Sequence, residues 1–195
     1  MLLRLIATAV CVTVMTGTAG AQTQDNPFRF GTTLSGFAGG TTDSESTSGA
    51  AGLELGWEMT RRLAIEGMTL WSDPSANQSD FSVILGSKIN LTRKRSGPFV
   101  TAGAGMYRAS FDSLAGPLPP FYGDRLMPSE RTVGRGTFDD FVASVGGGTE
   151  YFFHAHWAVR PDVRVMMVFG NSDIRWVTAF GGHLAYHFER HRASE

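Results

Sequence analysis

Apolar and polar side chains alternate along most of this chain, as in β-strands that have two different faces. Eight segments keep this period of two, whereas no window longer than about ten residues keeps the period of an amphipathic helix. The predicted strands cover residues 28–38, 49–59, 62–72, 81–92, 98–111, 140–153, 157–169 and 174–188. In each strand one parity is apolar, and no Asp, Glu, Lys or Arg falls on it. Because successive side chains point to opposite faces, every charge in these strands lies on one side of the sheet.

The large side chains on the apolar parity indicate that this parity faces outward from a closed barrel. Its aromatic residues include Trp57, Trp71, Phe99, Tyr107, Phe111 and Trp176. The opposite parity carries small residues, including Gly56, Ala64, Ala102, Ala104 and Gly146. Small residues suit an eight-stranded barrel, whose interior is only wide enough for side chains to fill it. The sequence therefore predicts an all-β fold, an eight-stranded antiparallel up-and-down transmembrane β-barrel, rather than a soluble barrel with the apolar parity inside.

The aromatic positions and the connections favour a barrel that crosses a membrane. When the strands are threaded up and down, the aromatic residues fall near two rims, which match the two membrane–water interfaces. Connections at one end are short, and most of those at the other end are longer: 39–48, 73–80, 112–139 and 170–173. This asymmetry is typical of outer-membrane barrels. Pro161 predicts a bulge or kink in its strand, because proline has no N–H to pair.

The first 21 residues have the features of an export signal. Arg4 precedes an apolar run that ends at Met15, and small residues at 19–21 supply a cleavage pattern. The run is shorter than the about 20 residues that a membrane-spanning helix needs. Cleavage predicts a barrel domain over 22–188 and a C-terminal tail over 189–195.

Three segments carry a family resemblance: PFVTAGAGMYR (98–108), GLELGWEMTRRLAIEG (52–67) and WVTAFGGHLAYHF (176–188). With them, the mature chain resembles the small outer-membrane barrels of the OmpA and OmpX type, the outer membrane protein β-barrel domains. The resemblance implies the outer membrane of a Gram-negative-type bacterium, contact with its lipid, and insertion by the barrel assembly machinery. It also implies an extracellular ligand or a host surface as a candidate partner. Seven residues follow Phe188, where many relatives end on the aromatic residue.

Charged residues on the inward parity are predicted to form a network in the lumen. They are Arg29, Glu54, Glu58, Arg62, Glu66, Lys88, Arg108, Glu150, Arg160, Asp162, Arg164 and Arg175. Opposite charges pair in such a place, because an unpaired buried charge costs several kcal/mol. The network is interpreted as a plug that closes the lumen. The alternative is a narrow porin-like path for small solutes or ions.

Nothing in the sequence points to catalysis, a cofactor, a metal site or nucleic-acid binding. Glu54 and Glu58 lie about 13 Å apart along one strand, too far to act together. Small outer-membrane hydrolases that modify lipid resemble one another in a His-x-Ser pair, which none of the histidines here provides. The single Cys11 excludes a cysteine zinc site, and a net charge of −1 gives no electrostatic case for nucleic acid. A lipid-modifying hydrolase is therefore the least favoured function.

The connection 112–139 is long for a segment without regular structure, and such loops are often functional. Its apolar residues are predicted to be exposed and are the candidate partner-binding residues: Leu118, Phe121, Tyr122, Leu126 and Met127. Exposed apolar residues among polar ones mark partner contacts. The alternative is a surface loop that folds back over the barrel mouth.

We expect the purified mature protein in detergent to migrate differently on a gel when boiled and when unboiled, because a closed barrel resists unfolding. The measurement is a gel-shift assay of the two samples. Identical mobility, together with solubility in plain buffer, would contradict the membrane assignment.

Overall fold

The computed structural model describes residues 31–43, 46–60, 62–75, 78–92, 94–111, 120–123, 136–170 and 173–189. These residues form eight strands and one short helix. They are β1 (Gly31–Thr42), β2 (Thr47–Glu58), β3 (Leu63–Ser75), β4 (Gln78–Asn90), β5 (Gly97–Phe111), α1 (Pro120–Gly123), β6 (Gly136–Phe152), β7 (Trp157–Phe169) and β8 (Ile174–Glu189). No helix in this part of the chain is long and apolar enough to cross a membrane.

The strands follow one another around a closed antiparallel barrel, in which β8 pairs with β1. A circuit of paired residues runs from Thr32 through Trp57, Ile65, Ser87, Ala102, Val145, Val165 and Thr178 to Thr42. The circuit returns ten residues further along β1. For eight strands this stagger corresponds to a tilt of about 40° and a narrow interior. The predicted eight-stranded barrel is confirmed.

The outer surface carries a broad apolar band. Leu53 and Leu85 expose 61% and 67% of their surface, and their neighbours on the same parity are also exposed. Trp57 and Trp157 lie near the end of the short turns, whereas Trp71 and Trp176 lie near the other end. The side chains of the opposite parity point into the barrel, so the predicted separation of faces holds in most strands.

Strand β5 is the exception, because its aromatic parity points inward. Phe99, Tyr107 and Phe111 are buried, whereas Ala102 and Ala104, predicted to face the lumen, are exposed. The inward aromatic rings fit because small residues stand beside them. Gly148 is opposite Phe99 and Ser82 is opposite Tyr107. The prediction for this strand was wrong because it took the parity of the single charge, Arg108, as the inner one.

The strands extend further towards the outer end than predicted. β1 and β2 are joined by residues 43–46, and β3 and β4 by residues 76–77, so these loops are shorter than the sequence indicated. Polar and small residues filled the ends of these strands and were mistaken for loops. Residues 112–135 remain a long connection between β5 and β6, and this end is therefore the extracellular one.

Pro161 does not produce the predicted bulge. The β6–β7 pairing stops after Gly148–Asp162 and resumes at Tyr151–Val159 without a change in register. On its other side Pro161 is paired with Gly182 of β8. The missing N–H is thus accommodated as a local gap in one ladder. The register does shift elsewhere, between Ser72 and the end of β3 in the β3–β4 pair.

Neighbouring substitutions in β5 test which parity faces inward. We expect Ala102→Leu to change the free energy of unfolding by less than about 0.5 kcal/mol, because residue 102 faces outward. Gly103→Leu should cost about 1–3 kcal/mol or prevent folding. A Cβ at position 103 would lie 2.8 Å from the Leu85 carbonyl oxygen and 2.9 Å from Ile84 Cγ2. Urea unfolding in lipid vesicles measures the free energy of unfolding of both variants. A larger loss for Ala102→Leu than for Gly103→Leu would show that Ala102 faces the lumen, as the sequence predicted.

Candidate functional site in the barrel interior

Glu54 binds two arginines across the lumen. Its Oε1 accepts a hydrogen bond from Arg160 Nη1 and its Oε2 accepts one from Arg164 Nη2, both at 2.6 Å. Glu54 belongs to β2 and the two arginines belong to β7, so the bonds connect strands that are not neighbours in the sheet. Arg160 is fully buried, and the other two side chains are nearly so. Because the carboxylate is shared by two cations, its desolvation is offset by two charge-assisted hydrogen bonds.

Lys88 and Arg160 are both shared between Glu66 and Glu150. Lys88 Nζ lies 3.3 Å from Glu66 Oε1 and 3.7 Å from Glu150 Oε2. Arg160 lies 3.4 Å from Glu66 and 3.8 Å from Glu150. The Phe99 ring lies 5.7 Å from Lys88 Nζ and 5.0 Å from the guanidinium carbon of Arg160. Side chains from β2, β3, β4, β6 and β7 therefore meet in one buried cluster, with a ring of β5 against it.

Two histidines of β8 extend this cluster, and neither belongs to the network predicted from the sequence. His187 Nε2 lies 3.2 Å from Glu150 Oε1, and its Nδ1 lies 3.5 Å from Glu58 Oε1. His183 Nε2 lies 3.4 Å from Asp162 Oδ2, which also accepts a bond of 2.9 Å from Arg164 Nε. Both histidines have the inward parity of β8, but only charged residue types were assigned to the network. Their inward parity is the signal in the sequence that would have identified them.

The interior changes from charged to apolar towards the outer end. The buried apolar side chains of this region include Phe37, Met68, Leu70, Ile84, Val142, Met166, Val168 and Val177. They lie on the inward parity of their strands, where the sequence analysis looked only for charged and small residues. The charged cluster therefore occupies the half of the barrel nearer the short turns, and an apolar layer lies above it.

A second polar cluster lies at the extracellular mouth and is organised by Arg175. Its Nε donates to Asp43 Oδ2 at 3.1 Å, and its Nη1 donates to Tyr122 Oη at 3.0 Å. Arg175 Nη1 also lies 3.8 Å from Asp80 Oδ2, which accepts a bond of 2.5 Å from Tyr107 Oη. Arg175 was predicted within one lumen network, but the structure places it in this separate cluster. Asp43 and Asp80 were missed because both fell in segments taken as loops.

Tyr122 of α1 packs over the mouth of the barrel. It is fully buried, and its ring centroid lies 4.8 Å from that of Phe111 and 5.0 Å from that of Phe138. Burial raises the pKa of Tyr122 to about 12, so the phenol stays protonated at neutral pH. The prediction that Tyr122 is exposed for a partner was wrong, because the aromatic residues at the mouth offer it an apolar site. This part of the loop folds back over the barrel, as the alternative held.

The other residues of the predicted loop surface are placed less fully. Phe121 is half-buried, and its ring packs edge-on against Tyr122 at 4.8 Å. Leu118, Leu126 and Met127 lie outside the described residues. The structure therefore brings two of the five candidate residues together, at the mouth.

Two charged residues predicted in the lumen lie outside it. Arg108 forms a bidentate pair with Asp139, with Nε–Oδ1 at 2.6 Å and Nη2–Oδ2 at 3.0 Å, and about half of each side chain is exposed. It faces outward because β5 turns its aromatic parity inward. Arg62 lies exposed in the turn between β2 and β3, before the interior begins. Arg29 lies outside the described residues.

The described residues contain no group of three or more His, Cys, Asp or Glu side chains that could hold a metal ion. The charged groups instead pair with one another, although Glu66 Oε2 and the Nε and Nη2 atoms of Arg160 have no hydrogen-bond partner in the described part of the chain. No carboxylate in the charged cluster is placed beside an open cleft where a substrate would bind.

Residues 7–188 of the sequence match the family described as "Outer membrane protein beta-barrel domain". The chain belongs to this family. The family places the protein in the outer membrane, and the predicted transmembrane β-barrel fold is confirmed. No curated protein matches the sequence.

Solved members of the outer membrane barrels share the architecture at low sequence identity. The surface protein A of Neisseria (NspA) superposes with a TM-score of 0.57 and 12% identity, over 82% of this chain and 97% of that one. The N-terminal β-barrel domain of OprF from Pseudomonas aeruginosa superposes with a TM-score of 0.52 and 11% identity, over 81% and 100%. At these identities the likeness concerns the fold.

Replacing one arginine inside the barrel and one outside it separates buried from exposed ion pairs. We expect Arg160→Met to lower the free energy of unfolding by about 3–5 kcal/mol, because Glu54, Glu66 and Glu150 each lose a buried cation. The matched control, Arg108→Met, should cost at most about 1 kcal/mol, since it breaks an exposed pair. Urea unfolding in lipid vesicles measures the difference. Equal effects would show that the interior pairs contribute no more than exposed ones.

Proposed function

We propose that this protein is a closed outer-membrane barrel that does not conduct, with a structural or surface-interaction role. The observation that supports this most directly is the position of Arg160. Its guanidinium is fully buried inside the barrel and lies within 4 Å of carboxylates from β2, β3 and β6. An ion path along the axis would have to pass this group.

Three successive layers support a closed lumen. The charged cluster around Arg160 fills the periplasmic half, the apolar layer around Met166 and Val142 fills the middle, and Tyr122 covers the mouth. An ion that crossed the apolar layer would lose its hydration without gaining polar partners, which is costly. The predicted plug is thus proposed to be a combination of ion pairs and apolar packing rather than an Arg/Glu network alone.

The surface-interaction role is proposed for the long loop between β5 and β6. Phe121 lies at the mouth, and the loop also carries Leu118, Leu126 and Met127, which remain candidate contacts for an extracellular ligand or a host surface. The support is compositional, because apolar residues in a long extracellular loop favour partner binding. The buried Tyr122 then acts as an anchor that holds the loop to the barrel.

Export and assembly are proposed to follow the usual route of such barrels. We propose residues 1–21 as a cleaved signal peptide, 22–188 as the barrel domain and 189–195 as the tail, the first residue of which, Glu189, is also the last residue of β8. The outward aromatic residues at the end of β8, Tyr186 and Phe188, support recognition by the barrel assembly machinery. We propose no enzymatic activity, since the carboxylates of the interior are held in buried ion pairs.

The conductance of a loop variant tests whether the barrel is closed without its cover. We expect replacement of residues 114–135 by a short Gly-Ser turn to leave the barrel folded, because strand pairing does not use this loop. Current across planar bilayers should stay near zero for this variant and for the unaltered protein, since the apolar and charged layers remain. A boiled and unboiled gel comparison controls for folding. A steady current through the variant would instead favour the narrow porin-like channel, with the loop as its gate.

The same variant tests the surface role. Cells that display the unaltered barrel should adhere to surfaces or ligands that cells with the Gly-Ser turn do not bind. Equal adhesion by both would remove the loop as the binding surface and leave a structural role. Failure of the variant to assemble would show that the loop is needed for the fold.

A further inference from the structure

Exposed cations gather on two adjacent turns at the periplasmic end of the barrel. Arg62 lies in the β2–β3 turn, and Lys94 and Arg95 lie in the β4–β5 turn. Arg62 and Lys94 are exposed, and Arg95 is half-buried. The turns are neighbours because the backbone N–H of Asn90, the last residue of β4, donates to the Arg62 carbonyl at 2.8 Å. We call these three residues the basic rim.

One cation of the basic rim, Arg95, is held over the opening of the barrel at this end, because Phe152 lies on the inward parity of β6 with its ring 4.6 Å from that of buried His187. The guanidinium carbon of Arg95 lies 4.2 Å from the centroid of the Phe152 ring, at the end of β6. Ser96 Oγ accepts a hydrogen bond of 3.1 Å from the Phe152 backbone N–H, which fixes the turn to the same strand end. Arg62 and Lys94 form no ion pair with any residue in the described part of the chain. Their charges are therefore available to a partner from outside.

Exposed apolar side chains lie beside these cations and fix the depth at which the cations sit. Met59 and Leu91, in the same two turns, expose 53% and 54% of their surface, and Phe153 in the third short turn exposes 64%. Apolar side chains of this kind sit at the edge of the hydrocarbon, so charges next to them lie at the level of the lipid headgroups. A partner of the basic rim thus lies in the plane of the membrane.

The charges on the turns differ in sign between the two ends of the barrel. The described residues of the three short turns include no Asp or Glu. At the other end, Asp43 and Asp173 lie in the connections and Asp73 lies near the end of β3. Arg175 neutralises Asp43, whereas Asp73 and Asp173 are exposed. Among the described residues, the excess of positive charge on the turns is therefore a property of the periplasmic end.

We infer that the basic rim binds the phosphate-bearing headgroups of anionic phospholipids in the periplasmic leaflet. Guanidinium groups form paired hydrogen bonds with phosphate oxygens, and lysine adds a compact charge. Each cation near an anionic lipid surface strengthens association about fivefold. Three cations on two neighbouring turns would select such lipids over zwitterionic ones at this position.

The test measures lipid selectivity with the folded barrel in vesicles of phosphatidylcholine and phosphatidylglycerol in a 3:1 ratio. Spin-labelled phosphatidylglycerol and phosphatidylcholine report the relative association constant of each lipid at the protein surface. We expect the unaltered protein to prefer phosphatidylglycerol. In the triple variant Arg62→Ser, Lys94→Ser, Arg95→Ser, the ratio of the association constants for phosphatidylglycerol and phosphatidylcholine should be at least tenfold lower. High salt should reduce the preference of the unaltered protein, because it screens exposed charges.

Two control variants keep the test specific. Arg62→Lys with Arg95→Lys retains the charges and should keep most of the selectivity. Arg108→Ser removes an exposed cation at the opposite end and leaves the basic rim intact. This variant should keep the preference of the unaltered protein for phosphatidylglycerol. Both variants and the triple variant are checked for folding by gel mobility.

Several results would overturn the inference. An unaltered protein without preference for phosphatidylglycerol, or a triple variant with the same preference, would show that the rim does not select lipid. If the triple variant were less stable than the unaltered protein in pure phosphatidylcholine as well, the cations would balance the acidic interior instead of binding lipid. Binding of soluble heparin by the rim, without lipid selectivity, would point to a soluble polyanion as its partner.

Discussion

The pairing of β8 with β1 is the constraint on which the rest of the structure depends. In hydrocarbon there is no water to satisfy backbone N–H and C=O groups, so a sheet that crosses a membrane must have no open edge. Closing eight strands with the observed stagger leaves an interior that side chains fill. Each strand therefore has to present apolar side chains to the outside and a tightly complementary set to the inside. The glycines of the inner parity follow from this, since a Cβ at Gly148 would lie 2.1 Å from the Pro161 carbonyl oxygen.

Filling that interior with charge requires that each charge have partners from other strands. Glu54 is bound by two cations of β7, and Arg160 reaches three carboxylates, so the ion pairs connect walls that no hydrogen-bond ladder joins. Such a cluster is less a source of net stability than a condition for a unique packing, because removing one member leaves the others buried without compensation. The apolar layer above the charged cluster does not require specific partners for each side chain. The interior thus combines a part that specifies strand neighbours with a part that excludes water.

Alternation was sufficient to predict the number of strands, the closed barrel and the burial of Glu54, Glu66, Lys88, Glu150, Arg160, Asp162 and Arg164. Alternation did not predict features that depend on the residues of neighbouring strands. The parity of β5 depends on Gly148 and Ser82 across the ladders, and a rule that sends charge inward placed Arg108 on the wrong side. Tyr122 is buried because Phe111, Phe138 and Arg175 meet at the mouth, which requires contacts between residues far apart in sequence. Strand ends rich in Gly, Ser and Asp carry no apolar alternation, so their lengths were underestimated.

The polar groups of this barrel are distributed unevenly along its axis, and the two ends face different surroundings. Arg175 at the mouth is bound by Asp43 and Tyr122, so this cation is paired within the described part of that end. At the other end the carboxylates are inside, bound by Lys88, Arg160 and Arg164, while Arg62, Lys94 and Arg95 remain outside. The acidic interior of this half and its basic rim are complementary in charge, yet only the rim meets the lipid headgroups. A barrel built this way has a lipid-facing wall that is uniform in its middle and different in charge at its two interfaces. Its orientation and its lipid neighbours therefore depend on the turns, which strand pairing leaves free to vary.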